Sequence, residues 1–205
     1  MESLLDHFPT RSLAKNSVIR YVNLLNKIAV EYYQGKLNAI FLDGEIEIDE
    51  TFLFKDKKSK AKHRRNKRSL WLFGMIQRED HQFVITPVYS RDESTLLPIM
   101  LKHIKLGATV YSDSFSTYVN NRVFPKESRL QEYGFQHQWG DHQIEFVSST
   151  FQQIHTNTIE RLWLTIKTDF RKKNIKKIRL SHIARFFFHK NSRGKRTAKN
   201  HWKWA

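Results

Sequence analysis

The stretch Glu45-Ile46-Glu47-Ile48-Asp49-Glu50 alternates apolar Ile46 and Ile48 with acidic Glu45, Glu47 and Asp49. Period two over this length predicts a half-buried strand. Its carboxylates repel one another, so it reads either as the wet face of a solvated edge strand or as a metal-binding strand. Two further acids have placements that could do chemistry. Asp113 closes the apolar run Ala108-Thr109-Val110-Tyr111-Ser112, and an acid at the C-terminal end of a buried strand projects where open α/β sheets place their sites. Glu160 lies in the first turn of an amphipathic helix, with Lys167 seven residues on, two turns along the same side. Three anionic oxygen donors suit Mg²⁺ or Mn²⁺. Two such ions roughly 3.5–4 Å apart activate a nucleophile and stabilise the leaving 3′ oxygen of an in-line phosphoryl transfer, without a covalent protein nucleophile.

The charge balance of this 205-residue chain points to a partner for that chemistry. Lys and Arg exceed Asp and Glu by 36 − 20 = 16, and the isoelectric point is near 10.1. Such an excess fits a polyanion, nucleic acid first, although a basic but otherwise ordinary protein has the same composition. It clusters in two places. Lys55 to Arg68 holds nine Lys or Arg, and Arg171 to the end holds thirteen with no acid. Lys57, Lys58, Lys60, Lys62, Arg64, Arg65, Lys67 and Arg68 in the first cluster, and Arg171, Lys172 and Lys173 in the second, are candidate phosphate contacts; solvated loops are the plainer reading. The sequence has no cysteine, which excludes disulfides and thiolate zinc sites. No apolar run approaches the ~20 residues of a membrane span, and the first residues lack a signal-peptide pattern. A soluble intracellular protein is expected. The apolar share of 40%, with 15 Phe, is enough for a core.

The elements that must position these residues follow in order. Residues 1–40 read as a helical segment, with Val18, Val22, Leu25 and Ala29 at helical spacing. A turn near Ala14 to Ser17 would make it a helix-turn-helix remnant; a helix packing on the main domain fits equally. After the acidic strand come strands over Ser69–Ile76 and Phe83–Tyr89, joined by a tight turn at Arg78-Glu79-Asp80-His81. A helix over Thr95–Lys105 starts at Asp92 or Ser94 and ends at Gly107. The strand ending at Asp113 precedes a short helix over Ser114–Asn121, an irregular stretch from Arg122 to Gly140 and a last strand over Gln143–Val147. Thr156 or Asn157 caps the long helix, whose apolar face is Ile159, Leu162, Trp163, Ile166 and Phe170. The periodicity continues through Ile183, Phe186 and Phe187, and residues 191–205 read as a basic tail.

Strand, strand, strand, helix, strand, helix, strand, helix is the element order of a ribonuclease H-like domain, here expected over residues 41–190. In that α/β fold, a mixed sheet flanked by helices, the first and fourth strands are neighbours at the centre and the last helix crosses them. Asp49, Asp113 and Glu160 would then converge. The blocks Ile46-Glu47-Ile48-Asp49-Glu50-Thr51, Val110-Tyr111-Ser112-Asp113, and His155 to Lys167 with its Asn157, Ile159-Glu160 and Trp163 resemble the three signature blocks of DDE transposases. Within these they resemble the Merlin-type group and its bacterial insertion-sequence relatives.

The resemblance implies a DNA transposase that uses a metal-dependent acidic triad to cut element ends and join the freed 3′ hydroxyl to target DNA. It implies Asp49, Asp113 and Glu160 as catalytic metal ligands, Lys167 as the associated basic residue, and Mg²⁺ or Mn²⁺, two ions, as cofactor. Asn157, one turn before Glu160, is an alternative or auxiliary ligand, and His155 and His142 are near-site candidates or structural histidines. Glu50 should point to the opposite sheet face from Asp49. The implied partners are double-stranded DNA, both element ends and target, and further copies of the chain; no membrane is involved. The location would be the nucleoid in a bacterium or the nucleus in a eukaryote. The alternatives are a ribonuclease H-like endonuclease without strand transfer and a non-catalytic basic nucleic-acid-binding protein.

Overall fold

The computed structural model describes residues 15–52, 70–140, 156–175 and 178–197. The basic loop from Lys55 to Arg68, the last strand expected over Gln143–Val147, and His142 and His155 lie outside the described residues.

The largest unit, residues 35–179, is built on a five-stranded sheet. Its strands are β1 (Glu45–Phe52), β2 (Trp71–Gln77), β3 (Phe83–Val88), β4 (Thr109–Asp113) and β7 (Gln136–Gly140), in the order β3-β2-β1-β4-β7. β1, β2 and β3 form an antiparallel meander, while β4 pairs parallel with both β1 and β7. β1 and β4 are therefore neighbours at the centre, as in the expected ribonuclease H-like sheet. Ile46, Ile48, Leu72, Phe73, Met75, Val84, Ile85 and Val110 are almost fully buried, which is what a sheet covered on both faces requires.

The helices α2 (Glu93–His103) and α3 (Asn157–Lys172) belong to this unit. Asp92 caps α2 by accepting the Thr95 backbone N–H. The expected apolar face of α3, Ile159, Leu162, Trp163, Ile166 and Phe170, is the buried one. Between β4 and β7 the sequence reading fails locally. Residues 114–121 form turns and the short strand β5 (Val119–Asn120), which pairs with β6 (Glu127–Ser128), instead of a helix. The stretch to Gly140, expected to be irregular, ends in β7. That strand alternates polar Gln136 and Gln138 with buried His137, and its polar residues hid a sheet-edge strand.

A second unit comprises residues 1–34 and 180–205. Its described elements are α1 (Lys15–Asn38, of which residues 35–38 fall outside this unit) and α4 (Leu180–Thr197). Edge-on ring contacts of Tyr33 with Phe187 and of Tyr32 with Phe188 join the two helices, at centroid distances of 5.1 and 5.3 Å. The turn expected near Ala14 to Ser17 is absent from Lys15 onward, because α1 is already helical there. Val18, Val22 and Leu25, the apolar residues at helical spacing, are exposed. The α4 backbone stays helical to Thr197, beyond Asn191, where a tail was expected to begin.

Candidate active site

β1 and β4 run in parallel with Glu45 opposite Thr109, Ile46 opposite Val110 and Glu47 opposite Tyr111. Counted two residues past the last paired residues, this register puts Asp49 level with Asp113. Side chains alternate along a strand, so Glu45, Glu47 and Asp49 share one face of β1. Contacts with α3 identify that face. Trp163 Nε1 donates to Asp49 Oδ2 at 2.8 Å, and the backbone N–H groups of Thr158 and Ile159 donate to Glu47 Oε2 at 2.8 and 2.9 Å. Glu160 follows Ile159 directly and precedes Trp163 by one turn.

The Asp49 carboxyl is pushed up to about 6, first by burial and then by the negative charges of Asp113 and Glu160. The charges of Asp113, at a strand end, and Glu160, at a helix start, thus both act on Asp49. Among the described residues, however, no three His, Cys, Asp or Glu side chains stand together as an ion-holding cluster. Asp49 is turned toward Trp163, and Asp113 Oδ1 accepts the Phe115 backbone N–H at 3.0 Å. The donor chemistry still fits a hard divalent cation. All three groups are oxygen ligands, and a cation would offset both the burial of Asp49 and the negative charges near it.

The approach of α3 depends on Gly74, which pairs with Asp49 across the β1–β2 ladder. A Cβ built at Gly74 would lie 2.5 Å from Trp163 Cζ2 and 3.2 Å from Ile159 Cδ1. The missing side chain is what lets the indole lie on the sheet and aim its N–H at Asp49. Asp113 has its own support. Ser112 Oγ donates to the Asp113 carbonyl oxygen at 2.7 Å and lies 2.9 Å from His137 Nε2, while His137 Nδ1 lies 2.7 Å from Ser128 Oγ. Ser128 Oγ accepts the backbone N–H groups of Leu130 and Gln131, so its own proton goes to His137 Nδ1. The imidazole is then the Nε2–H tautomer, and burial holds it neutral, down to about 4.

Glu50 points to the opposite sheet face, as its position on the strand predicts. It accepts the Tyr118 hydroxyl and lies 3.9 Å from Arg91, whose guanidinium stacks on Trp71 and Phe115. It is not remote from the acids, however: burial first, then the charges of Asp49 and Asp113, push it up to about 7. Lys167 is half-buried on α3, while Asn157, Arg171, Lys172 and Lys173 are exposed on that helix or just past it. Lys173 also pairs with Asp169 at 2.8 Å. Glu47, Gly74, Trp163, Ser112 and His137 were not among the site residues of the sequence reading, although Trp163 was placed on the apolar face of its helix and in the third signature block. Gly74 and His137 carry no local signal, whereas the alternation that singled out Asp49 also contains Glu47.

No curated protein matches the chain. Among solved structures, the magnesium-bound catalytic core of HTLV-2 integrase aligns with 12% identity and a TM-score of 0.44, covering 71% of this chain and 82% of that one. The simian T-cell lymphotropic virus intasome with a PP2A regulatory subunit aligns with the same identity, TM-score and share of this chain, but over 48% of its own. The model of the ISXO2-like transposase domain matches residues 41–187, which span all of the sheet, α2, α3 and the first part of α4. The chain therefore belongs to the ISXO2-like transposase family, and the segment that defines its membership carries all three acids.

Proposed function

We propose that this protein is a DNA transposase that cuts the ends of its own element and joins the freed 3′ hydroxyl groups to target DNA. The observation that carries the proposal is the Trp163 hydrogen bond to Asp49, which holds the helix of Glu160 against β1, the strand paired in parallel with the Asp113 strand. In this reading the three residues hold two Mg²⁺ or Mn²⁺ ions. When bound, the ions supply Lewis acidity to the attacking and leaving oxygens of an in-line displacement. The protein's own residues do the rest. Asp49 and Asp113 hold their carboxylates at the centre of a rigid sheet, and the Trp163 N–H orients one oxygen of Asp49. Lys167, two turns past Glu160, offers a cation to a backbone phosphate beside the acids. Arg171, Lys172 and Lys173, exposed at the end of α3, extend that cationic surface along the duplex. Kinship with the Merlin-type group and action as a homo-oligomer on paired ends belong to the same reading.

The test is an in vitro assay with pre-cut element ends, a target plasmid and Mn²⁺. Wild-type protein should give joined products. Asp113→Asn should reduce both cutting and joining to background while leaving DNA affinity unchanged or raised, because a charge that repels phosphate is removed. Cutting without joining identifies an endonuclease, and binding without cutting identifies a non-catalytic DNA-binding protein.

A further inference from the structure

We infer that Glu47 is a positioning residue that fixes the start of α3, and with it Glu160, against Asp49. The inference rests on the transposase reading and adds a part to it. Glu47 is fully buried, an unusual place for a carboxylate unless it is paired and hydrogen-bonded. One oxygen, Oε1, accepts Arg78 Nε at 2.9 Å; the other, Oε2, accepts the backbone N–H groups of Thr158 and Ile159.

Those two groups are the ones an N-cap side chain ordinarily satisfies. The N-cap residue here is Thr156, and its side chain makes no such bond. The helix is therefore capped from the sheet, by a strand residue more than a hundred positions earlier. A local cap would stabilise α3 equally well, and its charge would equally favour the positive end of the helix. Only a cap carried on β1 also ties the helix start to a strand. Along that strand Asp49 is two residues on; along the helix Glu160 is the residue after the last N–H that Glu47 holds.

Arg78 completes the link. Its guanidinium stacks on the Tyr111 ring at 3.7 Å and lies 3.4 Å from Glu45 Oε2, and the Tyr111 hydroxyl donates to Glu45 Oε1 at 3.1 Å. Tyr111 precedes Asp113 on β4 by two residues. β1, β4 and α3, the elements that carry Asp49, Asp113 and Glu160, are thus joined at a single buried carboxylate. Groups that orient ligands in this way act through metal affinity, where their loss typically costs about 10–100-fold.

The experiment compares wild type, Glu47→Gln, Thr156→Asp and the double variant, all as the full chain. Glutamine keeps the shape but opposes its amide NH₂ to a donor, since Arg78, Thr158 and Ile159 all donate to Glu47. Thr156→Asp supplies a local cap. Melting temperature reports the helix. Mn²⁺ binding to the DNA-free protein, followed by loss of the free ion's electron paramagnetic resonance signal, reports the ligands. The Mn²⁺ concentration for half-maximal nicking of supercoiled plasmid provides a third readout. Glu47→Gln should lower the melting temperature and weaken Mn²⁺ binding about 10-fold or more. In the double variant the melting temperature should recover while Mn²⁺ binding stays weak. Recovery of both, or wild-type Mn²⁺ binding in Glu47→Gln, would overturn the inference and leave Glu47 an ordinary cap. If Glu47→Gln alone does not fold, the double variant carries the same comparison. Wild-type protein that neither binds Mn²⁺ nor nicks DNA would instead overturn the transposase reading, so the two failures are separable.

Discussion

Glu47 and Asp49 sit two residues apart on the same face of β1, under the same helix, and their surroundings differ sharply. Glu47 is fully buried, yet its charge is met by Arg78 and by two N–H groups at the positive end of α3. Asp49 has the Trp163 indole N–H on one oxygen and the negative charges of Asp113 and Glu160 against it. One half of the strand is an electrostatically closed joint. The other half is left in need of positive charge. A fold that can compensate a buried carboxylate so fully at one position, and does not at the next on that face, marks the second position as the place where charge is to be brought in.

The comparison can be broken from the closed end first. Arg78→Met removes the cation and leaves Glu47 buried with the helix N–H groups, and unfolding experiments should show a loss of about 3–5 kcal/mol. A loss under ~1 kcal/mol would mean that the joint is not closed by Arg78.

At the open end, Gly74→Ala forces the Trp163 indole away from the sheet. Overpacking of this kind should cost about 1–3 kcal/mol. Cutting should fall by a larger factor than stability alone explains, since the Asp49 hydrogen bond goes with the ring. Unchanged cutting in a folded Gly74→Ala protein would separate Trp163 from the chemistry.

His137 supports the strand end that carries Asp113, and it supplies a pH dependence. Its folded value of about 4 lies below the ordinary value of 6.5, so the unfolded chain binds the extra proton between these limits. Stability from this group is complete above about pH 6.5 and is lost as pH falls toward 4. Between pH 7 and 4.5 wild type should lose roughly 2–3 kcal/mol more than His137→Asn, measured by denaturant unfolding. Parallel pH profiles would contradict the neutral, doubly hydrogen-bonded imidazole.

The smallest effect on stability belongs to the exposed cations. Neutralising Arg171, Lys172 and Lys173 together should change stability by under ~1 kcal/mol, even though Lys173 pairs with Asp169. The slope of log affinity for DNA against log salt should drop by about two to three units. An unchanged slope would remove these residues from the DNA surface.

What was legible in the sequence follows physical lines. β1 could be read because alternation over Glu45 to Asp49 is a local signal, and the central pairing of β1 with β4 followed from element order. The buried face of α3 was read residue by residue, because helical periodicity needs only the helix. β7 escaped because its inward residue is a histidine satisfied by two serines, which imitates a polar loop. The α3 cap escaped for a different reason. Thr156 has the right residue type in the right place, and a tertiary competitor, Glu47, took its donors. Gly74 could not have been found either, since only the packed helix reveals that a methyl group there meets an indole.

The central claim is that Asp49, Asp113 and Glu160 share divalent ions. Crystals of the full chain grown with Mn²⁺ test it most directly, through the anomalous signal of the metal. The account predicts Mn²⁺ bound by all three carboxylates, with both Asp49 and Asp113 in contact. Mn²⁺ bound elsewhere while these three carboxylates stay metal-free would contradict it.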